Sequence, residues 1–208
     1  FALGTFGAGL NYFKVSAIPE AGPLGPTGRT FSDYESAFRL GWGKGLGGNV
    51  VAGEEPRYNL GIALQVISTK VYEYQDGGFG VDAGFIFRPA SFARVGLALA
   101  NVVAPNVELK EMRDVYPTTA RLGGAVYFTP AVVASVEGRV RKDGDVGAAA
   151  GGEATFAKAV SLRGGYRYPE NIPAAGLGVS VRNYRFDFCW RAHGELGDSY
   201  LGSVGFRW

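Results

Sequence analysis

The final nine residues read Tyr200-Leu201-Gly202-Ser203-Val204-Gly205-Phe206-Arg207-Trp208. Counted back from the end, every second position is aromatic, valine or glycine, whereas the positions between them are small or polar apart from one leucine. Successive side chains of an extended chain point to opposite faces, so a period of two predicts a β-strand. We expect this strand to have one aromatic face and one small or polar face.

Composition narrows the class of protein to which this strand belongs. The chain of 208 residues has 33 glycines but 10 prolines, and its 19% of charged residues lies below the roughly 25% of soluble domains. No run of 18 apolar residues occurs, which excludes a transmembrane helix. A net charge of +2 gives no support for a nucleic-acid partner, and one cysteine excludes an internal disulfide. A single all-β domain over residues 1–208 fits these limits.

The same alternation recurs along the chain and predicts about twelve strands and no helix. Clusters of glycine, proline, asparagine and aspartate separate the strands, and Lys142-Asp143-Gly144-Asp145 is a hairpin signal. Two longer segments, Pro19–Gly28 and Pro105–Tyr116, are predicted to be exposed loops. The predicted strands cover residues 3–15, 35–42, 59–66, 81–88, 94–100, 121–128, 132–141, 147–156, 160–167, 177–182, 184–191 and 200–208.

One face of these strands is apolar throughout, and many strands end on this face with Phe, Tyr or Trp. Aromatic residues at strand ends are typical of the girdles of membrane barrels, and closure into a barrel removes exposed sheet edges. The pattern therefore predicts an antiparallel transmembrane β-barrel, with a soluble β-sandwich binding module as the alternative. The opposite face is predicted to face the lumen, and its charged residues are Arg39, Asp82, Arg88, Arg121, Glu137, Arg139, Glu153, Arg163, Arg167, Arg182, Arg185, Asp187, Arg191 and Arg207.

The end of the chain also resembles a sorting signal. A last strand with alternating apolar positions and a terminal aromatic is similar to the C-terminal strand of bacterial outer-membrane barrels. The residues that carry this resemblance are Tyr200, Val204, Phe206 and Trp208. The resemblance implies a location in the bacterial outer membrane, with outer-membrane lipid and the barrel-assembly machinery as partners.

Five further segments resemble motifs of the PorV/PorQ family of outer-membrane proteins, in the family's order. The clearest contains His193-Gly194-Glu195-Leu196-Gly197-Asp198-Ser199 and resembles the family's closing hairpin. Gly78–Gly84 resembles the family's Gly-x-x-x-Asp-x-Gly strand, and Val95–Asn101 resembles its strand that ends in Asn. Tyr116–Gly123 resembles its Leu-Pro-Thr-x-x-Arg-x-Gly segment. Glu153 and Leu162–Arg167 resemble two motifs that occur as a pair, Glu-Tyr and Leu-Arg-x-Gly-Tyr-Arg.

This resemblance implies a FadL-like barrel of about fourteen strands with an N-terminal plug that contains an Asn-Pro-Ala motif. We find neither the plug nor the motif, so we expect this chain to lack the N-terminal plug and two of the family's strands. The implied function is to pass or bind hydrophobic small molecules, or to serve as an accessory of protein secretion. A barrel with a purely structural role is a further alternative.

The sequence gives little support for catalysis, a cofactor or a metal. The only histidine, His193, is predicted to lie in a loop without an oriented nucleophile, and Cys189 is predicted to pack on the interior side of a strand. The glycine-rich segments do not open helices and lack the Gly-Lys-Ser/Thr sequence of a phosphate loop. The charged residues are instead expected to pair across strands, for example Glu137 or Glu153 with Arg139 and Arg163.

Overall fold

The computed structural model describes residues 3–22, 25–47, 55–109, 112–194 and 197–206, and these form fourteen β-strands. Within these ranges no helix is long and apolar enough to cross a membrane. The strands are β1 (Thr5–Gly22), β2 (Gly25–Leu46), β3 (Tyr58–Val71), β4 (Tyr74–Ala90), β5 (Ala93–Val103), β6 (Asn106–Leu109), β7 (Met112–Val115), β8 (Thr119–Thr129), β9 (Val132–Arg141), β10 (Val146–Phe156), β11 (Val160–Tyr168), β12 (Ile172–Val181), β13 (Tyr184–His193) and β14 (Gly197–Phe206).

Twelve strands form one antiparallel sheet in the order β1-β2-β3-β4-β5-β8-β9-β10-β11-β12-β13-β14. Each pair of neighbours is consecutive along the chain except β5 and β8, between which β6 and β7 form a separate hairpin. The twelve strands of the sheet are the twelve that the alternation predicts. The predicted all-β, antiparallel fold is therefore confirmed, and β6 and β7 are the strands that the sequence pattern missed.

The contacts within the chain define two compact units. The first unit comprises Phe1–Phe85 with Ala98–Thr119, and the second comprises Ile86–Leu97 with Ala120–Trp208. The first unit contains β1–β3 and the β6–β7 hairpin, and the second contains β9–β14.

Burial in the first unit is the reverse of that in a soluble protein. On one face of β3 the apolar side chains are exposed, with Leu64 at 52%, whereas the other face is covered, with Gln65 only 3% exposed and Ile67 4% exposed. The same alternation continues with Val66 exposed and Thr69 buried. Soluble domains bury their leucines and expose their glutamines. The apolar face of β3 therefore has no protein layer over it among the described residues.

The second unit also exposes the apolar faces of β9, β13 and β14. Val136 is 64% exposed, and Phe188 and Phe206 are each about half exposed. The aromatic rings contact each other along this face, with 5.0 Å between the ring centroids of Tyr184 and Phe206. A β-sandwich would cover these side chains with a second sheet. The alternative of a soluble β-sandwich is therefore rejected.

Short turns connect the strands of the second unit at one end of the strands. They contain residues 91–92, 130–131, 157–159 and 182–183. Backbone hydrogen bonds join three of these turns to the next hairpin, for example from the Thr155 N–H to the Ala131 carbonyl and from the Ser180 N–H to the Ala159 carbonyl. Outer-membrane barrels have such short turns at their periplasmic rim.

The segment Pro19–Gly28, predicted to be an exposed loop, instead continues the β1–β2 hairpin. Pro19 pairs with Thr30, Ala21 with Pro26 and Gly22 with Gly25. The register shifts between Val15 and Ile18 and between Pro19 and Ala21. These bulges allow strand pairing to pass a proline that cannot donate a backbone hydrogen bond. The loop prediction was wrong because it read proline and glycine only as signals that end a strand.

The second predicted loop, Pro105–Tyr116, contains the β6–β7 hairpin, and its first part packs on β4. Val107 is fully buried, and the Glu108 N–H donates to Asp76 Oδ2 at 2.5 Å. The close approach needs glycine on β4, since a Cβ on Gly78 would lie 2.9 Å from the Asn106 nitrogen. A Cβ on Gly80 would likewise lie 3.0 Å from the ring of Pro105. This segment therefore lies against the face of β4 that carries Asp82, rather than extending into solvent as an exposed loop.

We expect Gly78→Ala to displace this segment from β4, because the new methyl group would meet backbone atoms that cannot rotate away. Overpacking of this kind costs about 1–3 kcal/mol. The measurement is limited proteolysis, followed by mass spectrometry of cuts within residues 104–118. Gly9→Ala is the matched control, since a Cβ on Gly9 would meet nothing within 4 Å. Equal cleavage rates in both variants would contradict the packing described for Pro105 and Asn106.

Candidate functional site

Asn101 lies at the centre of a hydrogen-bond network in the first unit. It adopts a φ of 54°, which asparagine tolerates better than most residues, and all its polar groups are used. Its N–H donates to Asp82 Oδ1 at 2.8 Å, and its Oδ1 accepts from Gln65 Nε2 at 2.7 Å. Gln65 in turn accepts from Arg39 Nε at 3.1 Å. We call these four residues, with Pro117 and Thr118, the Asn101 network.

The Asn101 network also holds the end of the segment that follows β7. The Asn101 Nδ2 donates to the Pro117 carbonyl at 3.3 Å, and Thr118 Oγ1 donates to the Asn101 carbonyl at 2.9 Å. Asn101 on β5 therefore hydrogen-bonds the residues just before β8, which holds the two ends of the segment between these strands together. Three of the motifs that resemble PorV/PorQ proteins meet here, since Asp82, Asn101 and Pro117–Thr118 each come from a different one.

A second network, the Arg163 network, crosses four strands of the second unit. Arg163 on β11 donates through Nε to Glu153 on β10 and through Nη1 to Asp187 on β13, the latter at 2.6 Å. Arg185 Nε also donates to Asp187 Oδ2, at 2.9 Å. The side chains of Glu153, Arg163 and Asp187 are each about 30% exposed. The predicted pairing of Glu153 with Arg163 is thus present, and it extends to Asp187 and Arg185.

Glycines on β12 make the Arg163 network possible. Arg163 is in register with Gly176, and Asp187 is in register with Gly178, so the guanidinium must cross β12 to reach Asp187. A Cβ on Gly178 would lie 2.6 Å from Asp187 Oδ1 and 3.0 Å from Arg163 Nη2. The absence of side chains at these two positions leaves the space that the ion pair occupies.

A cavity of about 270 Å³ adjoins the Arg163 network. Arg163 and Asp187 line one part of it, and Cys189 and Leu201 line another. The rest of the wall is made of glycine, alanine, serine and one phenylalanine. Cys189, Leu201, Arg163 and Asp187 share the polar face by strand register, so this cavity opens on the polar side of the sheet. Apart from a run of small residues, nothing in the sequence indicates this cavity.

The other predicted pairings differ from those in the structure. Glu137 contacts Arg121, at 3.9 Å, rather than Arg139. Arg139 instead binds two turn carboxylates, Asp145 at 3.0 Å and Glu170 at 2.7 Å. The backbone N–H of Glu170 and the Arg139 guanidinium hold the pKa of the Glu170 carboxyl below its usual range. The prediction was wrong because turn residues were not considered as partners for strand residues.

The remaining predicted charges fall into three groups. Arg88, Arg167 and Arg191 lie on β4, β11 and β13. Arg182 was predicted to line the wall but lies in the turn between β12 and β13 with a φ of 53°. Arg207 lies outside the described residues. Arg94 was missed, although it donates to the Tyr127 hydroxyl at 2.7 Å and lies over that ring.

Neither His193 nor Cys189 forms a catalytic arrangement. His193 is the last residue of β13 rather than a loop residue, and its Nδ1 lies 3.3 Å from Ser199 Oγ. No carboxylate in the described part of the chain hydrogen-bonds the imidazole. Cys189 is free and half-buried, and among the described residues no three His, Cys, Asp or Glu side chains converge on a metal-sized site. Within the described residues the Ser199–His193 pair lacks the third group that would orient the imidazole as a base, whereas the charges of the polar face are suited to binding a solute.

The predicted sorting signal lies on the exposed apolar face of β14. Tyr200, Val204 and Phe206 are each more than half exposed, and Trp208 lies outside the described residues. Tyr200 stacks on Phe188 of β13, with 6.1 Å between the ring centroids. At the start of β14, Asp198 Oδ2 accepts a hydrogen bond from Trp190 Nε1 at 2.9 Å. The aromatic residues of this hairpin are thus packed against one another at the surface.

Comparison with known proteins adds similarity of fold. No protein-family model matches the sequence, and no curated protein matches it. The chain is similar to the toluene transporter TodX of Pseudomonas putida, with a TM-score of 0.65 and 11% identity, over 96% of this chain and 77% of that one. It is also similar to the KdgM porin, with a TM-score of 0.54 and 13% identity, over 85% of this chain and 98% of that one. The fold is therefore that of outer-membrane β-barrels.

Proposed function

We propose that this chain is a bacterial outer-membrane β-barrel that binds or passes a hydrophobic small molecule, as a single domain over residues 1–208. The observation that carries the proposal is the exposure of the apolar faces of β3, β9, β13 and β14, with polar side chains of β3 covered on the opposite face. Such a surface is stable only against lipid, because contiguous exposed apolar area is rare on soluble monomers. The apolar face supplies the contact with lipid, and the polar face would line the interior.

The ligand class rests on two features. The similarity to a toluene transporter favours a hydrophobic small molecule, and the cavity beside Arg163 is lined mostly by small apolar residues. Its volume of about 270 Å³ suits a molecule of modest size. The segment held by the Asn101 network would narrow the interior where Pro105 and Asn106 pack on β4. A solute would then pass or bind beside this segment.

The narrower assignment to the PorV/PorQ family, with a role as an accessory of protein secretion, is a second candidate. It is supported by the three resembling motifs that meet at Asn101 and by the resembling pair that supplies Glu153 and Arg163. Co-purification of secreted cargo with the membrane-extracted chain would support this role. Two results together would contradict this role: the chain is recovered without cargo, and cells that lack the chain still secrete the cargo normally.

The first experiment tests the location in the membrane. We expect the chain to fractionate with outer membranes, to need detergent for extraction, and to migrate faster on a denaturing gel unless it is heated. A closed barrel resists unfolding by detergent until heated, since its sheet has no free edge. Recovery of the folded chain in buffer without detergent would contradict the proposal.

The second experiment separates a transporting barrel from a purely structural one. Proteoliposomes containing the chain should take up a small aromatic hydrocarbon faster than liposomes without it. They should also show quenching of the tryptophan fluorescence when the hydrocarbon binds. If the protein is heat-modifiable but shows neither faster uptake nor quenching, the barrel is supported and the role in transport is rejected.

A further inference from the structure

Arginine dominates the charge on the polar face of the second unit. Strands β5 and β8–β14 carry eight arginines and three carboxylates on this face, with no lysine among their described residues. The arginines are Arg94, Arg121, Arg139, Arg141, Arg163, Arg167, Arg185 and Arg191, and the carboxylates are Glu137, Glu153 and Asp187. Strand register places the residues of β9–β13 on the side of the sheet opposite the exposed apolar face, and the contacts of Arg121 with Glu137 and of Arg94 with Tyr127 place these two arginines there as well.

The excess of arginine persists when the neighbouring turns are included. Arg139 and Arg141 bind Asp143, Asp145 and Glu170, which raises the number of carboxylates at this face from three to six against eight arginines. The whole chain has 21 lysines and arginines against 19 aspartates and glutamates. The rest of the chain carries thirteen cations and thirteen carboxylates, so the net positive charge lies on this side of the sheet.

One of the arginines lines the cavity, and a second lies beside it. Arg163 lines it, and Arg191 is in register with Ala174, which also lines it. Within the described residues Arg191 has no hydrogen-bond acceptor or ion-pair partner for its guanidinium. Cys189, the only cysteine of the chain, lies two residues from Arg191 on the same face and also lines the cavity. A solute in this cavity would therefore meet positive charge that internal carboxylates do not fully neutralise.

We propose that the polar face of the second unit selects small molecules that carry an anionic group as well as an apolar part, and that the cavity beside Arg163 and Arg191 holds the anionic group. The proposal rests on the barrel proposed above, in which this face lines an aqueous interior. Walls that carry charge of one sign focus the field and raise the local concentration of the opposite ion. Arginine also binds carboxylate and phosphate through two parallel hydrogen bonds, which a lysine cannot do.

The test uses Cys189 as a reporter in the reconstituted chain. A negatively charged, a neutral and a positively charged methanethiosulfonate reagent are each reacted with Cys189, and each rate is divided by that for free cysteine. We expect the normalised rate of the anionic reagent to exceed that of the cationic one by about tenfold or more at low salt. The ratio should fall towards one as salt is added, because salt screens charge.

Two variants make the test specific. Arg191→Gln should lower the anion-to-cation ratio at least twofold, whereas Lys158→Gln, in the turn between β10 and β11, should leave it unchanged. A ratio at or below one, a ratio insensitive to Arg191→Gln, or no reaction with any reagent would each overturn the proposal. Heat-modifiable migration of the same preparation tests the barrel separately. An intact barrel with a ratio below one would reject only the anion selectivity.

Discussion

Val136→Arg is expected to block stable insertion of the chain into lipid. Val136 is 64% exposed and occupies the middle of β9, on the apolar face. An arginine on the lipid-facing side of a barrel costs about 2–4 kcal/mol at the midplane of the bilayer. The measurement is the fraction of heat-modifiable protein after refolding into lipid vesicles, together with the urea concentration at which the inserted protein unfolds.

Ser135→Arg is the matched control for this substitution. Ser135 is the preceding residue of the same strand, and it faces Gly151 on the polar side. The new guanidinium would lie on the side that already carries Glu137 and Arg139, so we expect near-normal insertion. A soluble protein would predict little effect of either variant, because both positions are exposed. Equal behaviour of the two variants would therefore contradict the assignment of the faces.

Arg163→Met is expected to destabilise the second unit, because it leaves Glu153 without an ionic partner and removes one of the two partners of Asp187. A broken hydrogen bond to a charged group costs about 1.5–3 kcal/mol. The three side chains remain partly exposed, so the low end of this range is expected. The free energy of unfolding in urea, measured on protein in lipid vesicles, would show the loss.

The same substitution four residues along β11 provides the control. Arg167 lies on the same face but makes no ion pair within 4 Å among the described residues, so Arg167→Met should change stability by less than about 0.5 kcal/mol. Adding Glu153→Gln to Arg163→Met should recover part of the loss, since it removes the unpaired carboxylate. Equal losses in both single variants, or no recovery, would show that the Arg163 network does not hold these strands together.

Much of the fold follows from the period of two in the sequence. Strands such as β9, where Val132, Val136 and Val140 alternate with Ser135 and Glu137, show which face is apolar before any pairing is known. The turn after β9 is equally clear, because Lys142-Asp143-Gly144-Asp145 combines the residues that a tight hairpin requires. Local patterns suffice here because each strand pairs with its neighbour in the chain.

The features that the sequence did not reveal depend on contacts between distant residues. The packing of Pro105 and Asn106 on β4 needs Gly78 and Gly80. A glycine in a strand does not indicate which distant residue packs against it. The pairing of Gln65 with Asn101 has no local signal either, because these uncharged residues lie 36 positions apart on different strands. The reach of Arg163 to Asp187 could not be predicted either, since it depends on the register of three strands.

The position of each residue relative to lipid tests the account most directly. In a Cys189→Ser background, single cysteines at residues 133–138 of β9 would be labelled with an environment-sensitive fluorophore, in protein inserted into lipid vesicles. We predict blue-shifted emission, quenched by brominated lipid, at residues 134, 136 and 138, and red-shifted emission at residues 133, 135 and 137. Emission without this alternation, or with the two sets exchanged, would contradict the claim that lipid covers the apolar face.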